Sequence, residues 1–211
     1  MAARAVPAEP VFTTESEANV WRQVVGSLGD DDVVLANVRL TDEAKDHELD
    51  LVVLMPEVGI VVVEVKGGSV SVDDRGRWWQ GSGSRPQRIH PVDQARDGKY
   101  ALRHYVESDP RWRDSSRTRV RWAHSVVTPY TLVDAGFATP DCPRWAIHGR
   151  EEMADLTDRL RAVATRQESG HRVPTEDDVE LICEIVRGRH LPTPDVVADS
   201  DEREAVADRL T

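Results

Sequence analysis

Two apolar runs, residues 48–55 (ELDLVVLM) and 58–65 (VGIVVVEV), stand on either side of a short turn at Pro56, Glu57 and Val58, with Gly59 behind it. Runs this rich in Val and Ile read as strands, and so short a connection makes them a hairpin. Val61, Val62, Val63 and Val65 leave the second strand apolar on both faces, which places it centrally in a sheet. Yet Asp50, Glu64 and Lys66 lie inside the same stretch. Charges in such surroundings need a reason.

Alternation supplies part of it. Side chains repeat every second residue along a strand, so Glu64 and Lys66 share a face. With the turn at 56–58, Met55 pairs with Gly59 and Asp50 falls directly opposite Glu64; a slip of one residue would throw it to the other side. Two carboxylates one strand spacing apart repel each other unless a cation lies between them. A divalent metal with oxygen ligands resolves that conflict, and Lys66 beside it is placed to orient a water or to hold phosphate charge. The competing reading is a solvated sheet face on which Lys66 merely pairs with one acid.

Around this hairpin the periodicities predict a helix over residues 15–28, with Thr14 and Glu17 in capping-box spacing, and a strand over 33–38. Further strands are expected at 69–72, 77–80, 119–127 and 145–148. Pro91 suits the first turn of a helix running to about residue 107, approached by a loop over 82–88. Helices are expected over 151–165 and 175–188, a Pro- and Asp-rich linker over 191–200, and a helix start over 201–210. No internal repeat is present.

With 39% hydrophobic and 31% charged residues among 211, the chain is long enough for one ordinary core. No run approaches the roughly 20 apolar residues of a membrane helix, and the N-terminus lacks a secretory h-region. A cytoplasmic location without membrane attachment is expected. Cys142 and Cys183 lack metal-ligand spacing and read as small buried hydrophobes. The histidines form no HxxxH or HxH pair, and neither a phosphate-binding GxxxxGK[ST] loop nor a GxSxG elbow occurs.

The net charge of −11 argues against nucleic acid until its distribution is considered. Between Arg75 and Arg121 there are twelve Lys or Arg against five Asp or Glu. Because attraction acts over a Debye length of about 10 Å, a basic middle can hold a phosphate backbone within an acidic chain. Arg75, Arg77, Arg85, Arg88, Lys99 and Arg103 are the candidates for DNA contacts. Trp78 and Trp79 could stack on bases, but adjacent strand residues face opposite ways, and core packing is the stronger expectation for either. Trp122 and His124 are expected in the core.

The residues Glu48-Leu49-Asp50, Gly59 to Lys66, Ser16-Glu17 and His90-Pro91-Val92-Asp93-Gln94, in their chain order, resemble the NERD (nuclease-related) domain of the PD-(D/E)XK nuclease superfamily. The resemblance covers residues 14–128 and departs from the family pattern at Ser16, usually Gly, and His90, usually Asn. It implies an α/β, restriction-endonuclease-like core: a central mixed β-sheet flanked by helices, here with a C-terminal helical extension. The implied divisions are an N-terminal tail 1–13, a nuclease core 14–150, the extension 151–190, and a linker into a following domain at 191–211.

The same resemblance implies a Mg2+- or Mn2+-dependent nuclease acting on DNA. Asp50, Glu64, the carbonyl of Val65 and Glu17 would hold the metal, Lys66 would be the catalytic lysine, and Gln94 would position water or phosphate. Glu17 reads equally as the capping partner of Thr14, and Gln94 as an ordinary helix residue. The tail DEREAVADRLT resembles the approach to a superfamily 1 helicase, which implies a nuclease–helicase polypeptide in DNA repair or defence against foreign DNA. Cutting both strands with one site per chain would favour a homodimer. Two other readings stay open: a catalytically weak nucleic-acid-binding module that positions a helicase, and a protein-interaction domain.

Overall fold

Pairing of Met55 with Gly59 sets the hairpin register, and it runs through to Leu51 opposite Val63. In the computed structural model, which describes residues 3–42, 45–81, 85–113, 115, 117 and 119–188, these strands are β3 (Asp46–Met55) and β4 (Gly59–Val65). Before them come β1 (Arg4–Val6), helix α1 (Glu15–Val25) and β2 (Val33–Thr41). After them come β5 (Val70–Val72), β6 (Trp78–Gln80), β7 (Gln87–Ile89), α2 (Pro91–Ser108) and the short α3 (Pro110–Arg113). The remainder is β8 (Trp122–Thr128), a 3-10 turn Arg144–Ala146, β9 (Ile147–Gly149), a second 3-10 turn Arg150–Asp155, α4 (Leu156–Arg166) and α5 (Glu176–Arg187).

Six strands form a mixed sheet in the order β1-β2-β3-β4-β8-β9. β4 has β3 antiparallel on one side and β8 parallel on the other, and every residue of it is buried. That is the central position its unbroken apolar run requires. One face packs under α2 and α5, with Val52, Leu54, Val62 and Trp122 against Leu102, Val106 and Ile182. The other packs under α1 and α4, with Leu51, Val53, Val61 and Val63 against Val20, Val24, Leu160 and Val163. The result is the expected α/β layering.

β5, β6 and β7 make a separate antiparallel sheet. Its inner residues Trp78 and Ile89 pack with Val92 and Ala95 of α2 and with Val126 and Ile147 of the main sheet. Residues 87 and 88, expected in the loop over 82–88, pair with β6 together with Ile89, which has an apolar seat there.

Arg4–Val6 lies within the expected N-terminal tail and forms the parallel edge strand beside β2. α4 and α5, expected as an extension, each supply cover to one face of the same sheet. Residues 191–211, with the expected linker and final helix, lie outside the described residues. Among the described residues no helix is long and apolar enough to cross a membrane.

The helix starts follow local chemistry. Thr14 accepts a hydrogen bond from the Glu17 N–H, Pro91 opens α2, and Thr175 forms a capping box with Asp178.

Candidate active site

The central hairpin does not stay paired to its end. From Met55 to Leu51, β3 lies against β4; beyond that, Leu49 and Glu48 pair only with Val38 and Arg39 of β2. β4 meanwhile continues along β8, with Glu64 opposite Val126 and Val65 opposite Val127. The two strands therefore part just beyond Leu51 and Val63, with Asp50 and Glu64 the next residue on each strand at the root of the fork. Asn37, on β2 beside Asp50, has φ of 54°. This left-handed residue breaks the alternation: Leu35 and Val38 both fall on the α2 side, and Leu49 and Leu51 fall on opposite sides.

Where β3 withdraws, its place in the ladder is taken by a side chain. Asp50 Oδ2 accepts the Val65 N–H at 2.7 Å. Glu64 is 4% exposed, and its Oε1 lies 2.6 Å from Lys66 Nζ, as their shared face requires. Burial pushes the Asp50 carboxyl up to about 7, helped by the Glu64 charge and opposed by the Val65 N–H and Lys66. Burial also raises Glu64, with Lys66 pulling it back. Two acids and one ammonium leave the fork with surplus negative charge, the state a cation would relieve.

The donor set suits a hard cation. Two carboxylates and nearby backbone oxygen are the ligands that Mg2+ and Mn2+ take, with water completing the shell. Among the described residues no group of three His, Cys, Asp or Glu side chains converges as a ready metal cage. Glu17 shows why. Its Oε1 accepts from Thr14 Oγ1 at 2.7 Å and its Oε2 from the Thr13 N–H at 3.3 Å, so the capping arrangement holds it at the start of α1. Its charge still raises both Asp50 and Glu64, so it acts on the fork from a distance.

Gln94 is exposed on the first turn of α2, one turn before Gly98. A Cβ at Gly98 would sit 3.2 Å from Leu49 Cγ, so α2 presses on β3 one residue from Asp50, and Gln94 continues that helix face.

The basic candidates separate into two sets. Arg75, Arg85 and Arg88 are exposed, and Arg77 is clamped by Asp73 at 2.8 Å and lies over the Trp79 ring. Lys99 is a correction: only 3% exposed, its ammonium lies 3.4 Å from Glu168 and over the Tyr100 ring, so it cannot reach a phosphate from there. Arg103 is likewise held by Glu107 and Glu168. Trp78 is buried against Phe137, Trp122 is fully buried, and burial pushes His124 down to about 4. Cys142 and Cys183 are buried free thiols.

One contact escaped the sequence reading. Ser16 is buried in the first turn of α1, and a Cβ added at Gly67, the residue after Lys66, would lie 2.0 Å from Ser16 Oγ. α1 and the end of β4 are thus in direct contact beside the fork. Nothing in the spacing of residues 16 and 67 announces it, although Ser16 departs from the family pattern.

A family model described as the nuclease-related domain, NERD, matches residues 14–128. No curated protein and no solved structure matches the chain.

Proposed function

The chain belongs to the nuclease-related domain family, and from that premise together with the fork we propose that it is a divalent-metal-dependent nuclease hydrolysing DNA phosphodiester bonds. One observation carries the reading: Asp50 and Glu64, mutually repelling acids on parting strands, share a fork with the ammonium of Lys66. Carboxyl groups raised by burial are a cost to the fold and a recurrent mark of functional sites.

In this reading Asp50, Glu64 and the Val65 carbonyl hold Mg2+ or Mn2+, and Glu17 deepens the negative potential from α1. When bound, the cation supplies Lewis acidity toward a phosphate oxygen and lowers the pKa of a water. The remaining work belongs to the chain. Lys66 exchanges its contact with Glu64 for charge developing on the phosphate, or orients the attacking water. Gln94 positions that water or a phosphate oxygen from α2. The exposed arginines of the small sheet contact the backbone of the strand.

The test is cleavage of labelled single-stranded and duplex DNA in EDTA, Mg2+ and Mn2+, beside Asp50→Ala and Lys66→Ala. Metal-dependent cleavage lost in both variants supports the proposal. A folded chain that cuts no substrate overturns it.

A second reading rests on the same site. With Lys66 held by Glu64 and no third acidic ligand converging among the described residues, the chain would bind DNA as a catalytically weak module. Binding without metal-dependent cleavage would favour it. Placement as the nuclease segment of a nuclease–helicase in DNA repair or defence, in the cytoplasm and as a homodimer on duplex DNA, extends the proposal from the family resemblance. Co-purification with a helicase activity tests that extension.

A further inference from the structure

We propose that the pocket bordered by Arg75, Arg77, Arg88, His90, Asp93 and Asp141 is a second site for a nucleic-acid backbone phosphate, distinct from the fork. It rests on the nucleic-acid reading above and adds where the strand is gripped.

The pocket is built around one locked turn. Asp73 accepts hydrogen bonds from the N–H groups of Arg75 at 3.0 Å and Arg77 at 2.9 Å, from Arg77 Nε at 2.8 Å and from the Trp79 indole at 3.2 Å. The Arg77 N–H above all holds this carboxyl well below the usual range, so it stays ionised and keeps the turn closed. Arg75 is thereby carried at the tip of a preorganised turn. On the neighbouring strand Trp78 pairs with Ile89, both buried, so Arg88 and its cross-strand partner Trp79 take the opposite face.

The charges do not cancel. Arg77 is matched by Asp73, and Asp93 by Arg96 at 2.6 Å. Asp141 accepts from Thr139 Oγ1 at 2.7 Å. Among the described residues Arg75 and Arg88 have no side-chain partner, so the pocket is bordered by two guanidinium groups outside any ion pair and one such carboxylate, Asp141, a balance suited to a phosphate.

The pocket is tied to the fork. Gln80, next to Trp79, donates from Nε2 to the Gly67 carbonyl at 2.7 Å, and Gly81 N–H donates to Ser69 at 2.8 Å. Gly67 directly follows Lys66, and His90 immediately precedes the helix that carries Gln94. These bonds fix the small sheet against the end of β4, and in this proposal one strand contacts both sites.

The test uses the full chain in EDTA, with anisotropy of a labelled oligonucleotide at several salt concentrations and inorganic phosphate as a separate titrant. For the Arg75→Ala/Arg88→Ala double variant the expected result is an affinity loss of about tenfold or more and a salt slope shallower by about one, with Arg88→Lys intermediate. Unchanged affinity and slope would overturn the proposal. Intact oligonucleotide binding with loss of inorganic phosphate binding would reassign the pocket to free phosphate and overturn it too. Hydrolysis of bis(p-nitrophenyl) phosphate by the wild-type chain, a substrate too small to span both sites, tests the fork separately. An inert fork with arginine-dependent strand binding would reject the nuclease reading and leave the pocket standing.

Discussion

Ser16 Oγ occupies the space that any side chain at Gly67 would need, with a separation of 2.0 Å from an added Cβ. Helix α1 and the residue following Lys66 are thus packed hydroxyl to backbone, which fixes the first turn of α1, where Glu17 also lies, against the end of β4.

Gly67→Ala should destabilise the chain by about 1–3 kcal/mol through overpacking. Ser16→Gly added to it should restore most of the loss, less the roughly 0.5–1 kcal/mol that glycine costs in a helix. Urea unfolding of the two single variants and the pair measures the coupling. Purely additive effects would show that the contact does not constrain the site.

Asp50 predicts a pH dependence of the metal-free fold. Its pKa is about 7 when folded against 3.8 for the ordinary group. A carboxyl raised on folding binds its proton more tightly in the native state, so the contribution of Asp50 to stability is largest at low pH and is lost as pH rises from about 4 to 7. The span corresponds to about 2–4 kcal/mol. Asp50→Asn mimics the protonated form. In EDTA its urea midpoint should match wild type near pH 4 and exceed it at pH 8; parallel curves across that range would contradict the shift.

Cation binding should then expel the proton. At pH 7 Mg2+ or Mn2+ should release on the order of half a proton to one proton per site, because ligands must ionise. Calorimetric titrations in two buffers of different ionisation enthalpy read this directly, and Asp50→Asn should abolish the difference. Binding without proton release would place the cation elsewhere.

Lys66→Met leaves Glu64 without its ammonium. Glu64 should answer by taking up a proton, its carboxyl rising further, and the fold should lose about 1–3 kcal/mol at pH 8 and less at pH 5. Cleavage should fall by roughly two to four orders of magnitude while oligonucleotide affinity in EDTA is retained. Full activity in this variant would remove Lys66 from the mechanism.

Glu168 ties Lys99, Arg103, His171 and the Trp122 N–H together, so Glu168→Ala strands a nearly fully buried ammonium. A loss of about 3 kcal/mol or more in unfolding free energy is expected. If Lys99→Met in the Glu168→Ala background fails to recover any of it, the stranded charge is not the cause.

Much of the architecture was legible in local pattern. The turn at 56–58 set the register that runs from Met55 opposite Gly59 to Leu51 opposite Val63, one residue short of Asp50 and Glu64, and the unbroken apolar run of β4 put it at the sheet centre. Thr14, Pro91 and Thr175 marked helix starts because capping depends on residues within one turn. The expected strand at 77–80 was found, while β1 and β7 were missed. Each is three residues long, too short for periodicity, and each exists because a distant strand offers it hydrogen bonds.

At the site the division is sharper. The sequence determined which acids and which lysine share the hairpin, since strand alternation and turn length are properties of neighbours in the chain. Tertiary structure alone decided that β3 and β4 part at Asp50, that Lys99 is buried on Glu168 and that Ser16 meets Gly67. Those outcomes depend on which distant groups compete for one side chain, and that competition is settled only when the layers pack.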